Sequence, residues 1–166
     1  MRTLVVYESI YGSTRRIAEA IAAGLEPFSQ VELVEVGVAP VSLDEDLDLL
    51  VVGGPTHAHG MSSWSTRKAA ADQTADPVGS GSVGLREWFI ILRCHPGVLA
   101  AAFDTRIDKP RWLTGSAARG VAKRLREHGY RLAVPPESFY VSGAMGPLGI
   151  GELDRARDWG RELGIR

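Results

Sequence analysis

Thr3-Leu4-Val5-Val6-Tyr7, then Glu8-Ser9-Ile10-Tyr11-Gly12-Ser13-Thr14, then Arg15-Arg16-Ile17-Ala18-Glu19-Ala20-Ile21-Ala22-Ala23-Gly24-Leu25: this stretch decides the fold. Its first five residues form a largely apolar, β-branched run, the composition of a buried strand. Ile17, Ile21 and Leu25 fall on one helical stripe, and Gly24 and Pro27 mark the helix end. A strand therefore runs through a tight loop into a helix N-terminus. The loop carries Ser9, Tyr11, Gly12, Ser13 and Thr14 and has no Lys. A helix N-terminus presents unpaired N–H groups and a partial positive charge. With three hydroxyls added, it suits a phosphate held by hydrogen bonds alone. An ATP loop would need a Gly-Lys-Ser/Thr ending, and a dinucleotide loop three spaced glycines; neither is present. An ordinary βα turn with a Ser/Thr cap is the other reading of the same residues.

The rest of the chain repeats the strand–helix alternation. Residues 31–36 alternate apolar and charged, as an edge strand does, whereas 47–54 are nearly continuous in apolar residues, as at a sheet centre. Residues 55–60, Pro55-Thr56-His57-Ala58-His59-Gly60, read as a polar loop, after which Ser62 or Ser63 caps a weakly patterned helix over 63–74. A Pro/Gly/Ser-rich connector spans 75–84. Leu85, Trp88, Phe89 and Leu92 have helical spacing, although Trp-Phe-Ile-Ile also suits a strand. Residues 97–104 read as another central strand, and 105–115 as a loop with three basic residues, Pro110 and Trp112. Ser116 opens a helix carrying Ala118, Val121, Ala122 and Leu125 on one face, closed by Gly129. A last strand over 130–134 and 138–141 is interrupted by Pro135-Pro136. Leu153, Ala156, Gly160 and Leu163 then pattern the final helix. This order predicts a single α/β domain over residues 1–166: a parallel sheet, doubly wound by right-handed crossovers.

Ser9-Ile10-Tyr11-Gly12-Ser13-Thr14 resembles the phosphate-binding loop of flavodoxins, Thr/Ser-x-Thr-Gly-x-Thr. It matches at Ser9, Gly12 and Thr14 and departs at Tyr11, where a small hydroxyl residue is common. The resemblance extends over nearly the whole chain. It implies a five-stranded sheet of order 2-1-3-4-5, with FMN at the carboxyl ends of strands 1 and 3, where the winding direction reverses. It further implies cofactor contacts from Ser9, Tyr11, Gly12, Ser13 and Thr14 in the first loop. The second loop would supply Pro55, Thr56, His57, Ala58 and His59, and the third Thr105, Arg106 and Trp112. Trp112 is a candidate to stack on the ring. Arg106 is a candidate cation beside the ring's N1–C2=O edge, where it would stabilise the anionic reduced flavin. The glycine-rich loop over 142–149 follows the last strand on the same edge and is a candidate cover or substrate floor.

Other readings lack their parts. His57-x-His59 would need further ligands to hold a metal, and none lies nearby in sequence. Gly79-Ser80-Gly81-Ser82-Val83-Gly84 matches a dinucleotide pattern in letters, but no strand precedes it. Response-regulator receivers need an acidic pair after strand 1, an Asp ending strand 3 and a late Lys; here stand Glu8-Ser9, Gly54-Pro55 and no such Lys.

The chain's 166 residues are enough for one full core. Its net charge of −1 gives no bulk attraction for nucleic acid. No run approaches the roughly 18–20 apolar residues of a membrane span, and Glu8 breaks the only apolar start, so a cytoplasmic protein is expected. The single cysteine, Cys94, fits a reducing compartment. The expected function is electron transfer through bound FMN, to a redox partner protein or a small-molecule acceptor. The alternatives are a flavin-dependent quinone or haem-precursor oxidoreductase, and a flavodoxin fold that has lost FMN and acts as an interaction module. Classical shuttles tend to be strongly acidic; the near-neutral charge and the basic Arg106, Lys109 and Arg111 point away from them.

Overall fold

The computed structural model describes residues 1–72 and 83–166. In chain order the elements are β1 (Arg2–Tyr7), α1 (Ser13–Leu25), β2 (Gln30–Glu35), β3 (Leu49–His57), β4 (Gly60–Met61), α2 (Trp64–Asp72) and α3 (Leu85–Ile91). They continue with β5 (Leu99–Ile107), α4 (Arg111–Thr114), α5 (Ala117–Glu127), β6 (Arg131–Leu132), β7 (Glu137–Val141) and α6 (Glu152–Ile165). β1, buried from Thr3 onward, lies between β2 and β3 and runs parallel to both. The alternating β2 takes the edge, where one ladder and one wet face are what its charges tolerate. β5 pairs with β3, and β6 and β7 both pair with β5, all in parallel. Pro135 and Pro136 remove two backbone donors, which splits the last strand into these two pieces. The doubly wound order 2-1-3-4-5 is thus the observed one, with β5 in fourth place and β6/β7 in fifth.

Helices cover both faces. Leu4, Val6, Leu50, Val52, Ala100 and Ala102 point to one side, against Leu85, Trp88 and Phe89 of α3 and Val121, Ala122 and Leu125 of α5. Val5, Val51, Ala101 and Phe103 point to the other, against Ile17 and Ile21 of α1 and Ala156, Trp159 and Leu163 of α6. Phe103, Phe139 and Trp159 meet edge to face there. α1 and α6 cross at Gly24 and Gly160, where a Cβ on either would collide with the facing backbone, so glycine sets how closely they approach. Alternation of 3.6- and 2-residue patterns was enough to predict these layers.

Two differences from the sequence expectation bear on the site. β3 and β5 each run three residues past their apolar cores. Thr105, Arg106 and Ile107 are ladder residues, paired with Phe139, Tyr140 and Val141, rather than loop. Pro55, Thr56 and His57 are strand as well, and the chain reverses through Ala58 and His59, both at positive φ (44° and 74°), into β4. That is the two-residue hairpin geometry whose twist matches the flanking strands. Leu85–Ile91 is a helix and not a strand. The far end of the helix expected to reach 74, residues 75–82 of the connector after it and so residues 79–82 of the Gly-x-Gly-x-x-Gly run lie outside the described residues. No helix among the described residues is long and apolar enough to cross a membrane.

Candidate functional site

The carboxyl ends of β1, β3 and β5 open into a cavity of about 310 Å³, at the lower end of the usual range for small-molecule sites. Its first wall is the loop after β1. Gly12, at φ +97°, ends the turn and stands at the N-cap of α1 with no side-chain cap; that left-handed backbone favours glycine. Ser9 turns inward, and its Oγ accepts from the N–H of Gly12 (3.2 Å) and of Arg15 (3.3 Å). The N–H groups of Ser13 and Thr14 have no acceptor among the described residues, as expected of a first helical turn. Ser13 and Thr14 face the cavity, and Thr14 Oγ1 is 2.7 Å from Thr105 Oγ1 on β5. Tyr11 also lines the cavity, and its hydroxyl donates to the carbonyl of Ala70 on α2 (3.4 Å), tying the loop to that helix.

The second wall is the end of β3. Thr56 Oγ1 donates to Asp104 Oδ2 (3.2 Å) and accepts from the N–H of Ala117 (3.0 Å). Asp104 Oδ2 also accepts from Ser116 Oγ (2.6 Å) and the N–H of Ala118 (2.9 Å). Ser116 is in the N-cap position, but its hydroxyl is spent on Asp104, so the first turn of α5 is capped from Thr56 and Asp104 instead. His57 Nδ1 lies 3.2 Å from Thr66 Oγ1 on α2. Burial, reinforced by nearby Arg67, lowers the pKa of His57 below the ordinary histidine value, so its imidazole is neutral at neutral pH.

The third wall holds Arg106, which is 7 % exposed. Its Nε donates to Ser138 Oγ (3.1 Å), and its Nη1 donates to the Lys109 carbonyl (2.8 Å) and Thr114 Oγ1 (2.9 Å). The guanidinium lies 5.4 Å from the ring centroid of Tyr140. No carboxylate among the described residues comes within 4 Å of it, and Nη2 has no hydrogen-bond partner among them. A buried cation held only by neutral acceptors keeps its positive charge uncompensated.

Hydroxyls line one side of the cavity and an uncompensated cation another, at the switch point of a doubly wound sheet. The flavodoxin family model matches residues 5–82, which span the first two walls. The fold superposes on a Bacillus cereus flavodoxin 1 with a TM-score of 0.72 and 15% identity, covering 100% of this chain and 99% of that one. An archaeal flavodoxin superposes at 0.67 and 19% (99% and 97% covered). A flavodoxin, WrbA-like protein from Agrobacterium tumefaciens superposes at 0.59 and 22% (99% and 95%). No curated protein matches the chain by sequence. The fold is flavodoxin-like.

On this flavodoxin-like frame the cavity brings together Tyr11, Ser13, Thr14, Pro55, Thr56, His57, Ala58, Thr105 and Arg106. Four other expected residues stand outside its lining. Ser9 is buried in the loop's own hydrogen bonds, and Gly12 lies at the turn behind it. His59 is at the hairpin tip, bridged to Gly115, and Trp112 is 83 % exposed on α4. Sequence reading missed the wall from α2, with Thr66, Ala69 and Ala70, because small residues leave no strong helical pattern. It also missed Ser138 and Thr114 as the holders of Arg106, a long-range contact with no local signal. Ile10, Ile107, and Val141 and Ala144 on and just after β7, complete the lining.

Proposed function

We propose that this flavodoxin-like chain binds FMN in the cavity and passes electrons through it. The observation that carries the reading is the first wall: free N–H groups of Ser13 and Thr14, with their hydroxyls, at a helix N-terminus lacking any lysine. Those donors suit a phosphate without a counter-cation. The unpartnered Nη2 of Arg106 suits an electron-rich ring edge, so the residues present fit the group. Bound FMN supplies the redox chemistry; the protein supplies binding, orientation and electrostatics. Ser13 and Thr14 hold the phosphate. Tyr11, pinned to Ala70, and His57, pinned to Thr66, form the sides against α2, and Thr105 and Arg106 close the β5 side. His57, being neutral, offers a hydrogen bond without adding charge. Titration of the purified protein into FMN should quench the flavin fluorescence stoichiometrically. A colourless preparation that leaves FMN fluorescence untouched would remove the reading.

A second reading, a flavin enzyme that reduces a bound small molecule such as a quinone, is favoured by the charge of the third wall. Arg106, with Lys109 and Arg111 beside it, does not form the acidic docking face of a classical shuttle. NAD(P)H-dependent quinone turnover by the protein alone would select it. Accumulation of a one-electron-reduced flavin in a reductive titration would select the shuttle.

A further inference from the structure

We propose that Arg106 sets the redox poise of the site: its buried guanidinium, with no carboxylate within 4 Å among the described residues, stabilises the anionic two-electron-reduced state of the bound flavin over the oxidised state. The inference rests on FMN binding as proposed above and goes beyond it, because it fixes which redox state this protein favours. Three observations converge on it. The cation is buried and its salt-bridge shell holds no carboxylate among the described residues. Its position is over-determined: Ser138 and Thr114 hydroxyls and the Lys109 carbonyl hold three of its donor bonds, and Tyr140 lies beside it. The one guanidinium nitrogen without a hydrogen-bond partner among the described residues belongs to a residue that lines the cavity. The phosphate donors lie on the α1 wall, so a ligand anchored there carries its ring toward the ends of β3 and β5, where Arg106 is.

The charge balance gives the direction. The oxidised ring is neutral. It takes two electrons from a low-potential donor and one proton from solvent, and ends with a net charge of −1. A fixed guanidinium in a poorly solvated wall stabilises that final state and leaves the neutral oxidised state nearly untouched. The second electron is then accepted more readily, and the flavin behaves as a two-electron carrier. Neutral hydroxyl and carbonyl acceptors leave the positive charge available for this, where a carboxylate would have cancelled it.

The test compares wild type, Arg106→Gln and Arg106→Lys, each reconstituted with FMN and titrated anaerobically with dithionite against a reference dye. In Arg106→Gln the ratio of reduced-FMN to oxidised-FMN affinity should fall by about tenfold or more, equal to about 30 mV in the two-electron midpoint potential. The fraction of one-electron-reduced flavin should rise. The pH at which bound reduced flavin takes up a further proton should also rise. Arg106→Lys, which keeps the charge, should stay closer to wild type on all three. A measurement on wild type alone guards against a variant that does not fold. Sulfite adds through its sulfur lone pair to ring N5, and the displaced electron pair comes to rest at N1–C2=O with no leaving group. The bound flavin should therefore take up sulfite at least about tenfold more tightly than free FMN. Unchanged affinity ratios in both variants, or sulfite affinity no better than that of free FMN, would overturn the assignment while leaving FMN binding intact. If wild type binds no FMN at all, the functional reading itself falls, and this assignment with it.

Discussion

Two arginines are buried near the carboxyl edge of the sheet and are treated in opposite ways. Arg67 on α2 is 3 % exposed, and Arg106 on β5 is 7 % exposed. Arg67 meets Glu87 Oε1 at 2.5 Å and Ser62 Oγ at 2.9 Å, and lies 4.0 Å from the buried Glu8. Glu8 in turn accepts from the N–H of Leu85 (2.8 Å) and from the Ser62 hydroxyl. That cluster ties the end of β1 to α2 and α3, with charges of both signs in one place. Arg106 has equally good donor geometry and no anion among the described residues. Burial alone does not separate a fastener from a binding group; local neutrality does. A cation matched by carboxylates has completed its interactions within the fold, and one surrounded by hydroxyls and a carbonyl has not.

The largest expected effect is on the matched side. Arg67→Met should cost about 3 kcal/mol, because it leaves the buried Glu8, and the partly exposed Glu87 at the edge of the cluster, without their cation. The check is a shift of the urea midpoint at unchanged slope. A loss below about 1 kcal/mol would mean that the cluster is not a fastener, and the contrast with Arg106 would collapse.

Glu8 gives a sharper version through pH. Burial raises its pKa, and the hydrogen bonds from Ser62 and Leu85 and the more distant Arg67 do not offset this. The folded state therefore holds the Glu8 proton more tightly than the unfolded state does. Stability from this group is fully present below the unfolded value and is lost as pH rises through the folded value. Glu87 and Glu152 act in the opposite sense. Burial would raise both, but hydrogen bonds from Arg67 and Arg155 outweigh it and lower them. The difference between Glu8→Gln and wild type isolates the one group: relative to wild type, Glu8→Gln should become more stable as pH rises from about 4.3 through the folded value. A difference that falls over that range would show that Arg67 compensates Glu8 fully.

Ser9 extends the comparison to the first loop. Its hydroxyl is consumed by two backbone N–H groups and does not face the cavity. Ser9→Ala should cost about 1 kcal/mol, like the loss of a helix cap, and the cost should be the same with and without FMN. A variant that keeps its stability but loses FMN affinity would move Ser9 from fastener to ligand.

How legible all this was follows the range of the interactions. Val5, Ile17, Leu50, Leu125 and Leu163 declared their faces by period alone, so the layers could be read from the sequence, while the strand order came with the flavodoxin resemblance. The first loop was legible because its chemistry is contiguous in residues 9–14. The third wall was not, since the partners of Arg106 come from 109, 114 and 138. Nothing local marks residues 105–107 as strand: they lie beyond the apolar run and are ordered by β7, a segment more than thirty residues later. Trp112 shows the converse. An aromatic residue in the expected loop suggested a stacking partner, but α4 carries it outward to 83 % exposure.

The smallest expected effect is the one that decides the comparison. Arg106→Met without FMN should change stability by less than about 1 kcal/mol. Three hydrogen bonds to neutral acceptors are lost, each of net worth about 1 kcal/mol. Against this, a buried cation with no anion beside it is removed, and replacing buried charge by an apolar side chain is often neutral or stabilising. The two contributions oppose each other at Arg106, where only neutral groups are left behind. At Arg67 they add, because Glu8 and Glu87 are left behind. The same urea titration that shows a large loss for Arg67→Met should show a small one here. A loss as large as that of Arg67→Met would make Arg106 a structural residue in spite of its missing counter-ion, and the cavity would then have no charge to spare for a ligand.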